Sequence, residues 1–238
     1  ANTLTTVAGI PLYKGDTGSI YTHNVSGTDD TAQYNSAYGL TAMDAITTGD
    51  NNVAMGYNAL SANNSGPSNT AVGYHALKLN TSGGSNVAVG KSALAANTTA
   101  SNNIAVGTSA LAANTTGTRN LAIGYGAYSN SDTENDNLAI GYAAMDTNTA
   151  GGTKNVAIGN YSLDALTSGD NNVAMGYAAL GSNNTGSSNT ALGYSTLFSN
   201  TTGEENTAIG LNALYTNTTA SNNTAVGSSA LAANSTGT

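Results

Sequence analysis

The stretch Asn86-Val87-Ala88-Val89-Gly90 is one copy of an Asn-x-Ala-x-Gly pattern that recurs twelve times in this chain of 238 residues. The period is 17 residues, and one copy is longer by a single residue. Twelve copies of one short unit predict a stacked repeat structure rather than a globule. The repeat glycines are Gly39, Gly56, Gly73, Gly90, Gly107, Gly124, Gly141, Gly159, Gly176, Gly193, Gly210 and Gly227.

Alternation within one copy predicts a short β-strand. We expect Asn86, Ala88 and Gly90 to point to one side of this strand, and Val87 and Val89 to point to the other. β-Branched residues at the alternate positions favour the same conformation. The recurring Ala is expected to face the interior, where only a methyl group fits. The recurring Asn is expected to form a ladder in which each amide bonds to the next rung.

The rest of each unit predicts a second strand and two turns. A short segment ending in Ala-Leu, as at Ala93-Leu94, follows the glycine, and a polar stretch of Asn, Thr, Ser and Gly closes the unit. Asn and Gly supply the positive φ angles that tight turns need. Two strands and two turns in 17 residues are typical of one coil of a parallel β-solenoid.

We therefore predict an all-β fold with two parts. Residues 35–238 form a single parallel β-solenoid, or β-roll, of about twelve rungs, one for each 17-residue repeat. Residues 1–34 do not repeat and form a separate N-terminal segment.

Composition excludes several classes of function. The net charge is −8, only five residues are Lys or Arg, and the chain has no Cys. Because there is no basic stripe, we expect no binding to nucleic acid or to anionic membranes. No apolar run is long enough to predict insertion into a membrane. The chain opens with Ala1-Asn2-Thr3 rather than with Met, which favours a mature secreted protein.

No pattern of residues predicts catalysis, so we expect no enzyme, no cofactor and no metal. His23 and His75 are isolated from Ser and from acidic partners, which argues against a catalytic triad. Asp132, Glu134 and Asp136 form an acidic cluster in an atypical turn. This cluster could hold a cation weakly, but a solvated loop is the favoured interpretation.

The residue before each repeat glycine is always large and apolar. If Ala faces inward, this column faces outward and forms an apolar stripe, which on a monomer marks an interface. If the column faces inward instead, the stripe disappears and a monomeric coil is reasonable. We favour the first arrangement, with another copy of the chain as the partner. The interface residues predicted in this column are Val72, Val89, Val106, Ile123, Ile140, Ile158, Ile209 and Val226.

An internal duplication makes the last rung resemble an interior rung. Residues 98–118 and 218–238 are almost identical and lie 120 residues apart. Solenoid ends normally carry an atypical cap, because an open end offers unpaired backbone groups. Either the natural protein continues beyond Thr238, or the next subunit docks there through its non-repeat segment. We favour docking, and an ordinary N-terminal cap is the alternative. The docking residues predicted in that segment are Leu4, Val7, Ile10, Ile20 and Tyr21.

Two further columns allow either a binding or a structural interpretation. Tyr follows the glycine in half of the copies, as at Tyr57 and Tyr177, and stacking between rungs is favoured over sugar binding. Asn-x-Ser/Thr triplets recur in the turns, where turn chemistry is the alternative to glycosylation. The candidate glycosylation sites are Asn63, Asn80, Asn97, Asn114, Asn183, Asn200, Asn217 and Asn234.

The repeat unit, Asn-[Val/Thr/Ile/Leu]-Ala-[Val/Ile/Met]-Gly, resembles the head-domain repeat of trimeric autotransporter adhesins. It is also similar to repeats in phage tail-fibre shafts and in large secreted bacterial surface proteins. The resemblance covers residues 35–238 and rests on all twelve copies. It implies a β-roll in which three chains pack along one axis, and a role in adhesion or fibre formation.

These patterns predict a structural subunit of an extracellular fibre or filament that associates with copies of itself. The alternative is a homotrimeric adhesin or phage tail-fibre module that binds a receptor, with surface glycans as possible partners. An ice-binding solenoid is a third hypothesis, weakened by the lack of a regular Thr-x-Thr strand array. The expected location is extracellular, on a cell surface or in a virion fibre.

Overall fold

The computed structural model describes residues 2–7, 10–14, 19–22, 31–147, 151–235 and 237. All regular secondary structure in these residues is β-strand, joined by turns. The chain divides into two compact units, Ala1–Thr118 and Arg119–Thr238.

The first unit contains eight strands. The first three pair antiparallel, β1 with β2 and β2 with β3, and the strands from β3 to β8 pair in parallel in chain order. Their bounds are β1 (Asn2–Val7), β2 (Ile10–Lys14), β3 (Ile20–Tyr21), β4 (Ser36–Tyr38), β5 (Val53–Met55), β6 (Thr70–Val72), β7 (Val87–Val89) and β8 (Ile104–Val106).

The second unit contains seven strands, all parallel and again in chain order. Its recurring Ala residues lie opposite one another, and the pairing of Ala139 with Ala157 is kept across the longer copy. The strands are β9 (Leu121–Ile123), β10 (Leu138–Ile140), β11 (Val156–Ile158), β12 (Val173–Met175), β13 (Thr190–Leu192), β14 (Thr207–Ile209) and β15 (Thr224–Val226). The prediction of an all-β, parallel β-solenoid with one repeat per rung is confirmed.

The predicted second strand of each rung is a pair of turns instead. In a typical rung the N–H of Ala59 donates to the carbonyl of Gly56 at 3.3 Å, and the N–H of Asn63 donates to that of Leu60 at 3.1 Å. Leu60 has a φ of 52°, which no strand can adopt. The N–H of Leu60 nevertheless donates to the carbonyl of Ala76 in the next rung at 3.0 Å. This segment therefore links rungs as a strand would, with a different backbone conformation.

The recurring Ala faces the interior, as the favoured arrangement predicts. Ala88 is fully buried, whereas Val87 and Val89 on either side of it are half-buried. Leu94 from the turn segment is also fully buried. The core of this rung therefore contains the Ala88 methyl group from the strand, and the Ala93 and Leu94 side chains from the turns.

The recurring Asn forms the predicted ladder. The backbone N–H of Asn86 donates to Oδ1 of Asn69 at 3.0 Å, and its Nδ2 donates to the carbonyl of Ala100 at 2.8 Å. The Oδ1 of Asn86 accepts from the N–H of Asn103 at 3.0 Å. Asn86 thus bonds to the rungs on both sides, which satisfies polar groups that no water reaches.

The non-repeat segment lies on the first rung of its own chain. Strand β3 pairs in parallel with β4, with Tyr21 opposite Ala37. Tyr21 is fully buried, whereas Ile20 is 48% exposed. Docking of this segment on a neighbouring subunit and capping of its own chain both stay predictions. Leu4, Val7 and Ile10 belong to strands β1 and β2, of which the structure describes the backbone and not the side chains.

Candidate functional site

The outward side of the strands carries two columns of side chains, one on each side of the buried Ala. We call the eight aliphatic residues of β9 to β12 at these positions the aliphatic face. Among its members, Ile123 is 37% exposed and Met175 is 42% exposed, and the others are half-buried. The eight residues are Leu121, Ile123, Leu138, Ile140, Val156, Ile158, Val173 and Met175.

The structure places all the predicted column residues on this outward side. Ile140 and Ile158 belong to the aliphatic face, and Ile209 and Val226 continue the same column on β14 and β15. In the first unit Val72, Val89 and Val106 are half-buried on the outward side of their strands. Alternation in the sequence places the column before the Ala on this side too, but the predicted interface names only the column before the glycine.

A second surface carries aromatic rings in register along the rungs. Tyr57 stacks on Tyr74 in the first unit, with ring centroids 5.6 Å apart. In the second unit Tyr177 stacks on Tyr194 at 5.2 Å, with an angle of 10° between the ring planes. The predicted stacking between rungs is confirmed at these pairs.

Part of this aromatic surface in the second unit encloses a groove of about 460 Å³, which we call the aromatic groove. Its volume lies in the range of small-molecule sites, about 300–1,000 Å³. Small residues lie between the rings, and one carboxylate is present. The groove is lined by Tyr161, Asp164, Tyr177, Ala178, Gly181, Tyr194, Ser195, Phe198 and Tyr215.

The environment of the aromatic groove disfavours the negative charge of the Asp164 carboxylate, which lines it. Burial raises the pKa of Asp164 above its usual range, and the neighbouring Asp146 carboxylate raises it further. Burial likewise raises the pKa of Tyr161, with smaller contributions from Tyr142, Tyr177 and Asp164. The groove therefore holds a carboxylate that is only partly solvated and faces other acidic groups.

This environment predicts that Asp164→Asn stabilises the protein at neutral pH, by up to about 0.5 kcal/mol. Because the pKa of Asp164 is raised in the folded protein, folding favours the protonated form. The cost of the charge is present above the folded pKa and disappears below the ordinary Asp pKa. Urea unfolding at neutral and acidic pH should show the gain only at neutral pH.

Asp136→Asn is the matched control for this prediction. The hydrogen bond from the Arg119 guanidinium lowers the pKa of Asp136, with Nε to Oδ1 at 2.6 Å on the exposed surface. This variant should gain no stability at neutral pH. Equal effects of the two substitutions would show that the groove does not penalise the Asp164 charge.

The structure argues against glycosylation of the folded chain at seven of the eight candidate sites. Asn80 is fully buried, and its Nδ2, the atom that would carry the sugar, donates to Oδ1 of Asn63 at 2.9 Å. Asn63, Asn80, Asn97, Asn114, Asn183, Asn200 and Asn217 are all fully buried. Their side chains bond to one another in two runs, from Asn63 to Asn114 in the first unit and from Asn183 to Asn217 in the second. Asn234 is half-buried.

Other polar residues considered as catalytic or cation-binding candidates make structural contacts within the described residues. Glu134 is buried and accepts backbone N–H groups from Asp132 at 2.9 Å and from Gly151 at 3.1 Å. The His75 ring stacks on Tyr74 with centroids 3.8 Å apart, whereas His23 lies outside the described residues. No group of three or more His, Cys, Asp or Glu within the described residues is arranged to hold a metal ion.

Within the described part of the chain, no helix has the length and hydropathy needed to cross a bilayer. No protein-family model matches the chain, and no curated protein or solved structure is significantly similar to it.

Proposed function

We propose that this chain is a structural subunit of an extracellular fibre and that it associates with copies of itself through the aliphatic face. The observation that carries the proposal is the run of four consecutive rungs, β9 to β12, with aliphatic side chains in both outward columns. A contiguous apolar surface that is partly exposed to solvent is uncommon on a soluble monomer and marks an interaction site.

The regularity of the aliphatic face supports a second copy as the partner. Its side chains repeat at the spacing of adjacent strands, about 4.8 Å. An identical face has the same spacing, so the ridges of one copy can pack between those of another over several rungs. Two-fold or three-fold packing of identical patches is the usual way in which homo-oligomers close.

The extracellular location rests on the resemblance of the repeat to adhesin-head and tail-fibre repeats. The composition is compatible with this location, since the chain has 8% charged residues and is rich in Asn, Thr, Ser and Gly. The second candidate function is a homotrimeric adhesin or tail-fibre module. The aromatic groove favours it, because a concave surface with convergent aromatic and polar groups is typical of ligand sites.

Self-association is tested with the double variant Ile140→Lys and Val156→Lys. Both side chains point outward, so the fold should tolerate Lys, whereas two charges on the aliphatic face should oppose burial of that face. We expect the wild-type chain to form oligomers or fibres at concentrations at which the variant stays monomeric. Sedimentation velocity and negative-stain electron microscopy over a wide concentration range measure this.

Thr185→Lys is the control, because Thr185 lies in an exposed turn of the same unit. It should assemble as the wild-type chain does. Long uniform fibres would support the structural role, and particles of one fixed size would support the trimeric module instead. A wild-type chain that is monomeric at every concentration would overturn both forms of self-association.

A further inference from the structure

We propose that the aromatic groove of the second unit binds a quaternary or N-methylated ammonium group. This inference goes beyond fibre formation and does not depend on self-association. It rests on the geometry of the rings, on the small residues between them, on the charge of the lining and on a comparison with the duplicated copy in the first unit.

The rings around the groove lie in more than one orientation. Tyr177 and Tyr194 are nearly parallel, and Tyr161 meets Tyr177 edge-on at an angle of 78° with centroids 5.8 Å apart. Phe198 and Tyr215 form a second parallel pair, with centroids 5.5 Å apart. A cation held within about 6 Å of several ring faces is attracted by each of them, as in the aromatic cages that bind methylated ammonium groups.

Small residues keep the space between the rings open. Ala178 and Ser195 are almost fully buried along the groove. Gly181 occupies a position that carries a side chain in the neighbouring rungs, Asp164 before it and Phe198 after it. A Cβ on Gly181 would come within 3.1 Å of the Phe198 ring, so even Ala would press on the aromatic wall.

The charge of the lining selects a cation over a neutral ligand. Asp164 is the one charged residue among the nine that line the groove. Its raised pKa has two causes, burial and the Asp146 carboxylate, and a bound cation would offset both. A neutral sugar would stack on the same rings but would leave this carboxylate without a counter-charge.

The duplicated copy, 120 residues earlier in the first unit, differs at the residues that create the proposed site. The stacked pair is kept there as Tyr57 and Tyr74. Lys78 stands at the position of Phe198, and the His75 ring stacks on Tyr74. The first unit therefore has a cationic residue of its own at this position, whereas the groove of the second unit has an aromatic wall and an open space.

The test uses choline and its neutral tert-butyl isostere, in which carbon replaces nitrogen, titrated into the full chain. Proton NMR of the ligand reports binding, because ring currents shift the methyl signals upfield when the group lies over aromatic faces. We expect saturable binding of choline, and binding of the isostere weaker by at least about fivefold. Tyr194→Ala and Asp164→Asn should each weaken choline binding by a similar factor.

Two further variants make the outcome specific to the groove. Tyr125→Ala removes a ring from an equivalent stacked pair outside the groove, with Tyr142 at 5.3 Å, and should leave choline binding unchanged. Phe198→Lys places in the groove the residue found in the first unit and should abolish binding. Circular dichroism checks that each variant is folded.

Three results would each overturn the proposal. Equal affinity for choline and its isostere would show an apolar site without selectivity for charge. Binding of a neutral oligosaccharide in place of choline would show a sugar site. No saturable shift with folded wild-type protein would show that the groove does not bind this class of ligand.

Discussion

Gly90→Ala is expected to destabilise the protein by more than about 3 kcal/mol. Gly90 has a φ of 135°, a region that residues with a Cβ rarely adopt. An added Cβ would lie 2.5 Å from the carbonyl oxygen of Gly107 in the next rung. Backbone atoms at this distance cannot move aside without breaking the inter-rung hydrogen bonds. Urea unfolding measures the loss, and amide hydrogen exchange shows whether it is centred on the rungs around Gly90.

Gly126→Ala separates the effect of the contact from that of the backbone angle. Gly126 also has a positive φ, 61°, but a Cβ there would meet no atom within 4 Å. The control should therefore cost only about 1–2 kcal/mol, the strain of the left-handed conformation. If both substitutions cost the same, close contact between rungs would not be the reason for glycine in this column.

Asn86→Ala is expected to cost about 2–4 kcal/mol. The change removes the oxygen that accepts from the N–H of Asn103 at 3.0 Å, deep in the coil where water cannot replace it. It also removes the donor to Ala100 and leaves a cavity in place of the amide group. Chemical unfolding of the purified chain gives the free energy, with exchange of the Asn103 amide as a local measurement.

Lys91→Ala is the control for the ladder, since Lys91 is exposed on the same rung. Its effect should stay within about 0.5 kcal/mol. A similarly small effect of Asn86→Ala would mean that the ladder sets the register of the rungs without stabilising them.

The structure also shows how one rung accommodates a larger core residue. Tyr128 stands where most rungs have a buried Leu, and Ser131 stands where most have a buried ladder Asn. The Tyr128 hydroxyl accepts a hydrogen bond from Nδ2 of Asn137 at 2.6 Å. This rung therefore keeps the ladder Asn137 and adds to it a hydrogen bond with the larger core residue.

The prediction of a second strand in each repeat is wrong because the residue types in that segment do not indicate its backbone conformation. Leu60 and Leu94 have φ angles of 52° and 51°, and Leu is normally excluded from this region. Each Leu is held there by burial and by a hydrogen bond to the next rung, which is 3.0 Å long at both residues. Tertiary contacts thus outweigh the local conformational preference of Leu. A prediction based on residue propensity therefore gives a strand instead.

The sequence by itself determined the period, the parallel stacking and which residues share one side of the strand, because these features repeat in register and alternation groups residues by side. It favoured the inward Ala, the Asn ladder and the outward aliphatic column, and burial in the folded coil decided them. Only the tertiary structure decided the features that depend on contacts between rungs. It placed the turn Asn residues inside the coil, where the sequence also allowed glycosylation. It laid β3 on β4, and it brought Tyr161, Tyr177 and Phe198 around one groove. These residues occupy three different positions of the repeat, so their proximity follows from how adjacent rungs pack and not from any single repeat.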